Sequence, residues 1–313
     1  MRHFNASAAV AAALVLAGAY SIGPAQAQLC TFTTVGTTMF LVGDCTTDTT
    51  IVVPDGFTLN GQGHAITAVE PVSGPFAGGV IENDGATAHV TRLVVNTDSL
   101  AVCGAGDARL RGIMFDDASG SITHNTVQNI NRGASGCQEG NAIEVRNEPF
   151  DGTHPNTQSV EIAHNVLETW QKTGIVCNGD VVCDIHYNFV GESATQENLA
   201  ANSIQIGFGG SGTVRFNHIA GNQWMGTSCF VATAVLLFDS YASTVSNNNI
   251  GGNSEVGIYA IADNHFVDNN RVFDGGPDTL AHTCDDPTTP VIETAQFDIG
   301  ICDDGDGNAI TNN

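Results

Sequence analysis

Lysine is almost missing from this chain. Lys172 is the only one, and arginine brings the cations to just 9 against 33 Asp and Glu. The formal charge of −24 excludes nucleic acid as a partner, since such binding rests on Lys and Arg neutralising phosphates. Anionic membrane surfaces are excluded on the same ground. Charged residues are only 13% of the chain and hydrophobic ones 42%, the reverse of a disordered polyelectrolyte. Aromatic residues are also few, at 7%, whereas glycine reaches 36 residues. What remains is an acidic, glycine-rich protein long enough to bury a large core.

Long apolar runs are missing as well, with one exception. Ala8 to Ala19 is apolar, follows Arg2 and His3, and leads into Pro24-Ala25-Gln26-Ala27, the small-x-small pattern of a signal-peptidase site. The run is too short to span a bilayer. Residues 1–27 are therefore expected to be a signal peptide and 28–313 the mature domain, with a charge of about −25 (8 − 33). The protein is expected to be secreted, extracellular or periplasmic, and monomeric. All nine cysteines follow the cleavage point, so in an oxidising compartment they read as disulfides with one thiol left over. The close pairs Cys30/Cys45, Cys177/Cys183 and Cys284/Cys302 are the expected bridges. The paired CxxC or HxxxH spacing of a zinc site is missing.

What the sequence has in abundance is repetition. The pattern aliphatic-x-x-Asn-x-aliphatic recurs six times, with its asparagines at Asn125, Asn165, Asn188, Asn217, Asn248 and Asn270. A second pattern alternates with it, a small residue followed by an aliphatic anchor: Ile113, Ile143, Ile175, Ile204, Val235, Ile258 and Ile310. The shortest spacings, 9 and 13 residues, give a minimal unit of 22. Two-residue alternation around the anchors indicates short strands. A unit of this size cannot hide its own apolar face, so the units must stack into a solenoid. An Asn at one fixed place per unit predicts an amide ladder, each side chain bonding the next coil and the turn backbone.

With its opening Ile51-Val-Val-Pro54-Asp-Gly56-Phe-Thr-Leu59-Asn-Gly61-Gln-Gly63-His64, the chain resembles the secreted right-handed parallel β-helix proteins of the pectate-lyase-like superfamily over residues 45 to 313. The resemblance implies an all-β, single-stranded right-handed parallel β-helix with loop insertions. It implies no one activity, because the superfamily includes lyases, hydrolases, epimerases, tailspikes and adhesin-like proteins.

The insertions point to a site. Long turns at 131–140, 191–201 and 221–232 are expected to leave one corner of successive coils as walls, and the short turn 168–173 to form a floor carrying Trp170 and Lys172. Trp224 sits in the third wall. Both tryptophans are candidates for stacking on sugars, or for packing under loops. With the anchors inward, Glu144, Asp116 and Arg146 face outward, the last two on adjacent coils. They would form either a surface ion pair or part of a site. His124 and His164 share another column, as a stack or a catalytic pair.

These residues permit two chemistries on a polysaccharide or other extracellular glycan. A lyase would use Arg146 or a calcium ion to neutralise a uronate and Lys172 or His164 as base, whereas a hydrolase would use the carboxylates Asp116 and Glu144. A non-catalytic glycan-binding or structural solenoid is the alternative. Near the C-terminus, Asp304, Asp306 and Asn308 alternate with glycine as in a Ca²⁺ loop, although no Glu follows at the twelfth position. Gly307-Asn-Ala-Ile310 also repeats Gly140-Asn-Ala-Ile143, so part of this motif reads as a coil turn.

Overall fold

The computed structural model describes residues 29–133, 135–148, 150, 156–193, 199–222, 232–252, 254, 256–273 and 299–313. The expected signal peptide, Trp224, Cys229 and Cys284 lie outside them.

Each coil supplies three short strands, one to each of three long parallel sheets. Sheet I has nine strands, among them Arg111–Asp116, Asn141–Asn147, Thr173–Gly179, Asn202–Gly207 and Thr233–Phe238. Among the described residues sheet II has eleven, including Ser119–Thr123, Gln158–Ala163 and Val181–His186, and sheet III nine, including Thr126–Gln128, Val166–Glu168 and His218–Ala220. This is a right-handed parallel β-helix. Its one antiparallel pair among the described residues, Phe32–Val35 with Thr38–Leu41, adds an edge strand at the N-terminal end of sheet II.

The anchors stack where the pattern puts them. Ile113, Ile143, Ile175, Ile204, Val235 and Ile258 face one another in register along sheet I and are fully buried. The small residue before each anchor has a steric cause. A Cβ on Gly112 would lie 2.8 Å from Val127 Cγ1, and one on Gly174 3.0 Å from Val190 Cγ1, so this position points into the core against sheet III.

Ile310 departs from the expected column. It pairs with Val267 in sheet II, and the partner of Ile258 is Ile301. The similarity of Gly307-Asn-Ala-Ile310 to Gly140-Asn-Ala-Ile143 hid a seventh copy of the other pattern, Ile310-Thr-Asn-Asn313.

The ladder therefore has seven rungs. Asn125 Nδ2 donates to Asn165 Oδ1 at 3.1 Å, and the relay continues through Asn188, Asn217, Asn248 and Asn270 to Asn313. Each receiving oxygen also accepts the backbone N–H of the preceding rung, as Asn188 Oδ1 does from Asn165. The residue just before each of the first six rungs is left-handed (His124, His164, Tyr187, Phe216, Asn247 and Asn269), which turns the chain from sheet II to sheet III. The rings of His124, His164, Tyr187 and Phe216 stack there at centroid spacings of 4.8, 5.3 and 5.2 Å.

Three disulfides are formed among the described residues. Cys30–Cys45 and Cys177–Cys183 are the expected ones, and Cys103–Cys137 joins two long loops. No helix among the described residues is long and apolar enough to cross a membrane.

Candidate functional site

The turn 131–140 leaves the corner where the chain passes from sheet III to sheet I, the turns 191–201 and 221–232 lie partly outside the described residues, and the sequence reading missed a further turn at this corner. Residues 98–110 rise from the coil before Arg111–Asp116 and lie over its outward face. Together with Glu148 and Phe150 beyond the next strand, they border a groove of about 500 Å³ on the outside of sheet I.

The groove floor is organised by two arginines. Arg146 lies almost wholly buried and binds Asp107 at 3.0 Å, Asp116 at 2.9 Å and Glu148 at 3.1 Å. Burial works against its charge, but the bonds to Asp116 and Asp107 outweigh it and hold the guanidinium protonated. Arg111 binds Glu144 at 2.9 Å, and its Nη1 donates to the carbonyls of Asp107 and Arg109. Asn141 Nδ2 adds a third bond to Glu144 at 2.7 Å. Asp116 and Glu144 are thus both committed to ion pairs.

Lys172 lines the same groove. Its Nζ donates to Ala200 O at 2.8 Å, and burial lowers its pKa to about 8. Arg109, also in the lining, is exposed and makes no ion pair with a described residue. Arg109, Arg111, Arg146 and Lys172 are four of the chain's 9 cations, gathered at one place on a molecule of charge −24. Neither Arg109 nor Arg111 lay in a recognisable motif. Their one sequence signal was the rarity of basic residues itself.

Glu82 was missed too. It pairs with Met114 in the outward column of sheet I, and burial pushes its carboxyl up although Gly79 N–H bonds it.

Other expected site residues fall elsewhere. Trp170 is fully buried in the core, because the short turn 168–173 keeps the indole inside the coil rather than on a cleft floor. His164 is exposed at the corner of sheets II and III, a different edge from the groove, and its ring faces are covered by His124 and Tyr187. Trp224 lies outside the described residues.

The carboxy-terminal loop does not gather its oxygens. Asn308 Oδ1 accepts His265 N–H and its Nδ2 donates to Ala262 O, so this side chain bridges coil turns. Asp304 accepts Tyr259 Oη, while Asp306 receives no bond to its carboxylate from a described residue. Among the described residues the one metal-like group is Cys103, Cys137 and Glu139, whose two sulfurs form a disulfide.

Comparison with protein-family models, with curated proteins and with solved structures finds no match for this chain.

Proposed function

We propose that this is a secreted carbohydrate-active β-helix protein, similar to the pectate-lyase-like superfamily, that acts as a lyase on an acidic polysaccharide laid in the sheet I groove. One observation carries the reading: in a chain of charge −24, a desolvated lysine amine and a free arginine share one groove. Elimination needs those two functions, a base for the carbon-bound proton and a cation for the uronate carboxylate. Lys172, as the free amine, takes the proton from the carbon beside the carboxylate. That electron pair becomes a C=C bond, the glycosidic C–O bond breaks, and the leaving oxygen takes up a proton from solvent water, to which the Lys172 ammonium later returns its own. Arg109 neutralises the carboxylate meanwhile.

Hydrolysis finds less support, because it requires a protonated acid and both Asp116 and Glu144 are held by arginines. Binding without chemistry is the second reading. It is favoured by the saturation of Arg111 and Arg146 with internal partners, which makes them wall rather than reagent.

The test is to incubate the purified protein with neutral and acidic polysaccharides and follow both ultraviolet absorbance and new reducing ends. Absorbance from unsaturated uronates, lost in Lys172→Met, is the expected result. Reducing ends without absorbance would indicate hydrolysis. Tight binding with neither signal would leave the binding solenoid.

A further inference from the structure

The groove has two unlike ends. Arg109, Arg111 and Lys172 occupy one, and the rings of Phe150, Phe208 and Phe238 line the other. These rings are 39%, 36% and 38% exposed, in a chain with few aromatic residues. Core packing does not account for them.

Their arrangement differs from that of the other ring column. At the corner of sheets II and III, neighbouring rings lie 23°, 6° and 10° from parallel, so each covers its neighbour's face. In the groove Phe150 and Phe208 are 5.8 Å apart and inclined at 29°, while Phe208 meets Phe238 edge-on at 63°. An edge-on pair leaves ring face uncovered. Phe208 moreover holds a positive φ of 53°, one coil after Gly179 in the same turn. A bulky side chain there is strained where glycine is not. Neither backbone nor burial calls for phenylalanine at that place.

We infer that Phe150, Phe208 and Phe238 form a binding subsite for the apolar face of a pyranose ring. The inference rests on the glycan reading of the groove. Pyranose rings expose C–H groups on one face, which pack on aromatic rings while their hydroxyls reach polar neighbours such as Asn178 and Gln205 in the same lining. The strands of Arg111 and Phe238 are four coils apart, about 19 Å along the axis. Arg111 opens its strand while Phe238, level with Asp116 through Gly207, Asn178 and Arg146, closes its own, so a glycan touching both ends crosses the strands obliquely and spans several residues. Short oligosaccharides reach one end only. The subsite makes the protein selective for long chains.

The experiment measures affinity and turnover for two series, uniform uronan oligosaccharides and uniform β-linked glucan oligosaccharides, each from the disaccharide to the heptasaccharide. Wild type is expected to bind the longest acidic members far better than the shortest. Phe208→Leu and Phe238→Leu keep the bulk but lose the ring. They should weaken the longest members about tenfold, leave the disaccharide unchanged and hold the melting temperature, while Phe238→Tyr restores wild-type affinity. Phe150→Leu, on a separate segment, gives the same readout should the Phe208 variant not fold.

If wild type discriminates by length and the leucine variants do so equally, the subsite is overturned and the glycan groove stands. If wild type binds no member of either series, the glycan reading falls and the subsite with it.

Discussion

At the scale of single residues, Lys172, the proposed base, ties that proposal to stability. An unfolded lysine keeps its proton to about 10.5, whereas the folded one releases it near 8 because burial disfavours the ammonium. Between these values the unfolded chain binds more protons, so stability rises with pH across that window. Below about 8 both states are protonated, and the fold carries the full cost of the buried charge. Lys172→Met should therefore abolish turnover yet raise stability at neutral pH by about 1–3 kcal/mol, measured by urea denaturation. The wild-type rate should climb with pH and level off above about 8. A rate that falls over this range would remove Lys172 as the base.

The ladder makes the opposite kind of residue-scale claim. Asn188→Ala leaves the backbone N–H and Nδ2 of Asn165 without their acceptor, and takes the Nδ2 donor from Asn217 Oδ1. All are buried, so the loss should be about 1–3 kcal/mol. An unchanged denaturation midpoint would mean that the rungs fill turns and do nothing more.

At the scale of elements, the loop 98–110 decides what the groove presents, and it is tied down from beneath. Fully buried Arg132 sits between Glu70 and Glu139, each 3.1 Å away. Glu139 accepts the backbone N–H groups of Gly104 and Leu110, and Glu70 those of Ala101 and Val102. Cys103–Cys137 closes the same loop covalently. A buried ion network is weak evidence for added stability, but removing one member leaves a charge uncompensated. Glu139→Gln should cost about 3–5 kcal/mol. It should also speed amide exchange at Gly104 and Leu110 well beyond that of the sheet I strands. Equal protection in variant and wild type would show that the loop is held without the clamp.

This element also marks where the sequence stopped being legible. The coil core could be read because each anchor and each ladder Asn recurs against the same aliphatic frame, and alternation then gave the outward side of Glu144 and Arg146. Loop 98–110 carries no period, and its contacts reach 29 to 39 residues away, to Glu139 and Arg146. Nothing in the order of its residues announces them. Trp170 was misplaced for a related reason, since a turn has no alternation to say which way a side chain points.

At the scale of the whole molecule, stacking accounts for nearly all of the regular structure. Far-ultraviolet circular dichroism should show β structure with almost no helix, and a helix content above roughly a third would contradict the solenoid. Acidity belongs to this scale as well. A field from −24 charges repels anions at a distance, while the gathered cations of the groove act within about a Debye length, roughly 8 to 10 Å. Association of an acidic oligosaccharide should therefore quicken as salt is added from low ionic strength, the reverse of the usual attraction between unlike charges.

The asparagine relay gives the stack a sense of direction. Each of the first six rungs donates from Nδ2 both to the next rung on the C-terminal side and to a backbone carbonyl of the coil before it, and its oxygen receives from the N-terminal side. A stack that grows from the N-terminal side, as a chain emerging from synthesis would, always carries open donors on its newest coil. The next coil docks only by bringing a carbonyl oxygen to that spot, and a slip by one residue in the coils of Asn165, Asn188 and Asn217 brings a ring or an aliphatic side chain instead. The relay thus acts as a vectorial proofreader of coil registration, rejecting slips that the nearly interchangeable isoleucines and valines of the core would tolerate.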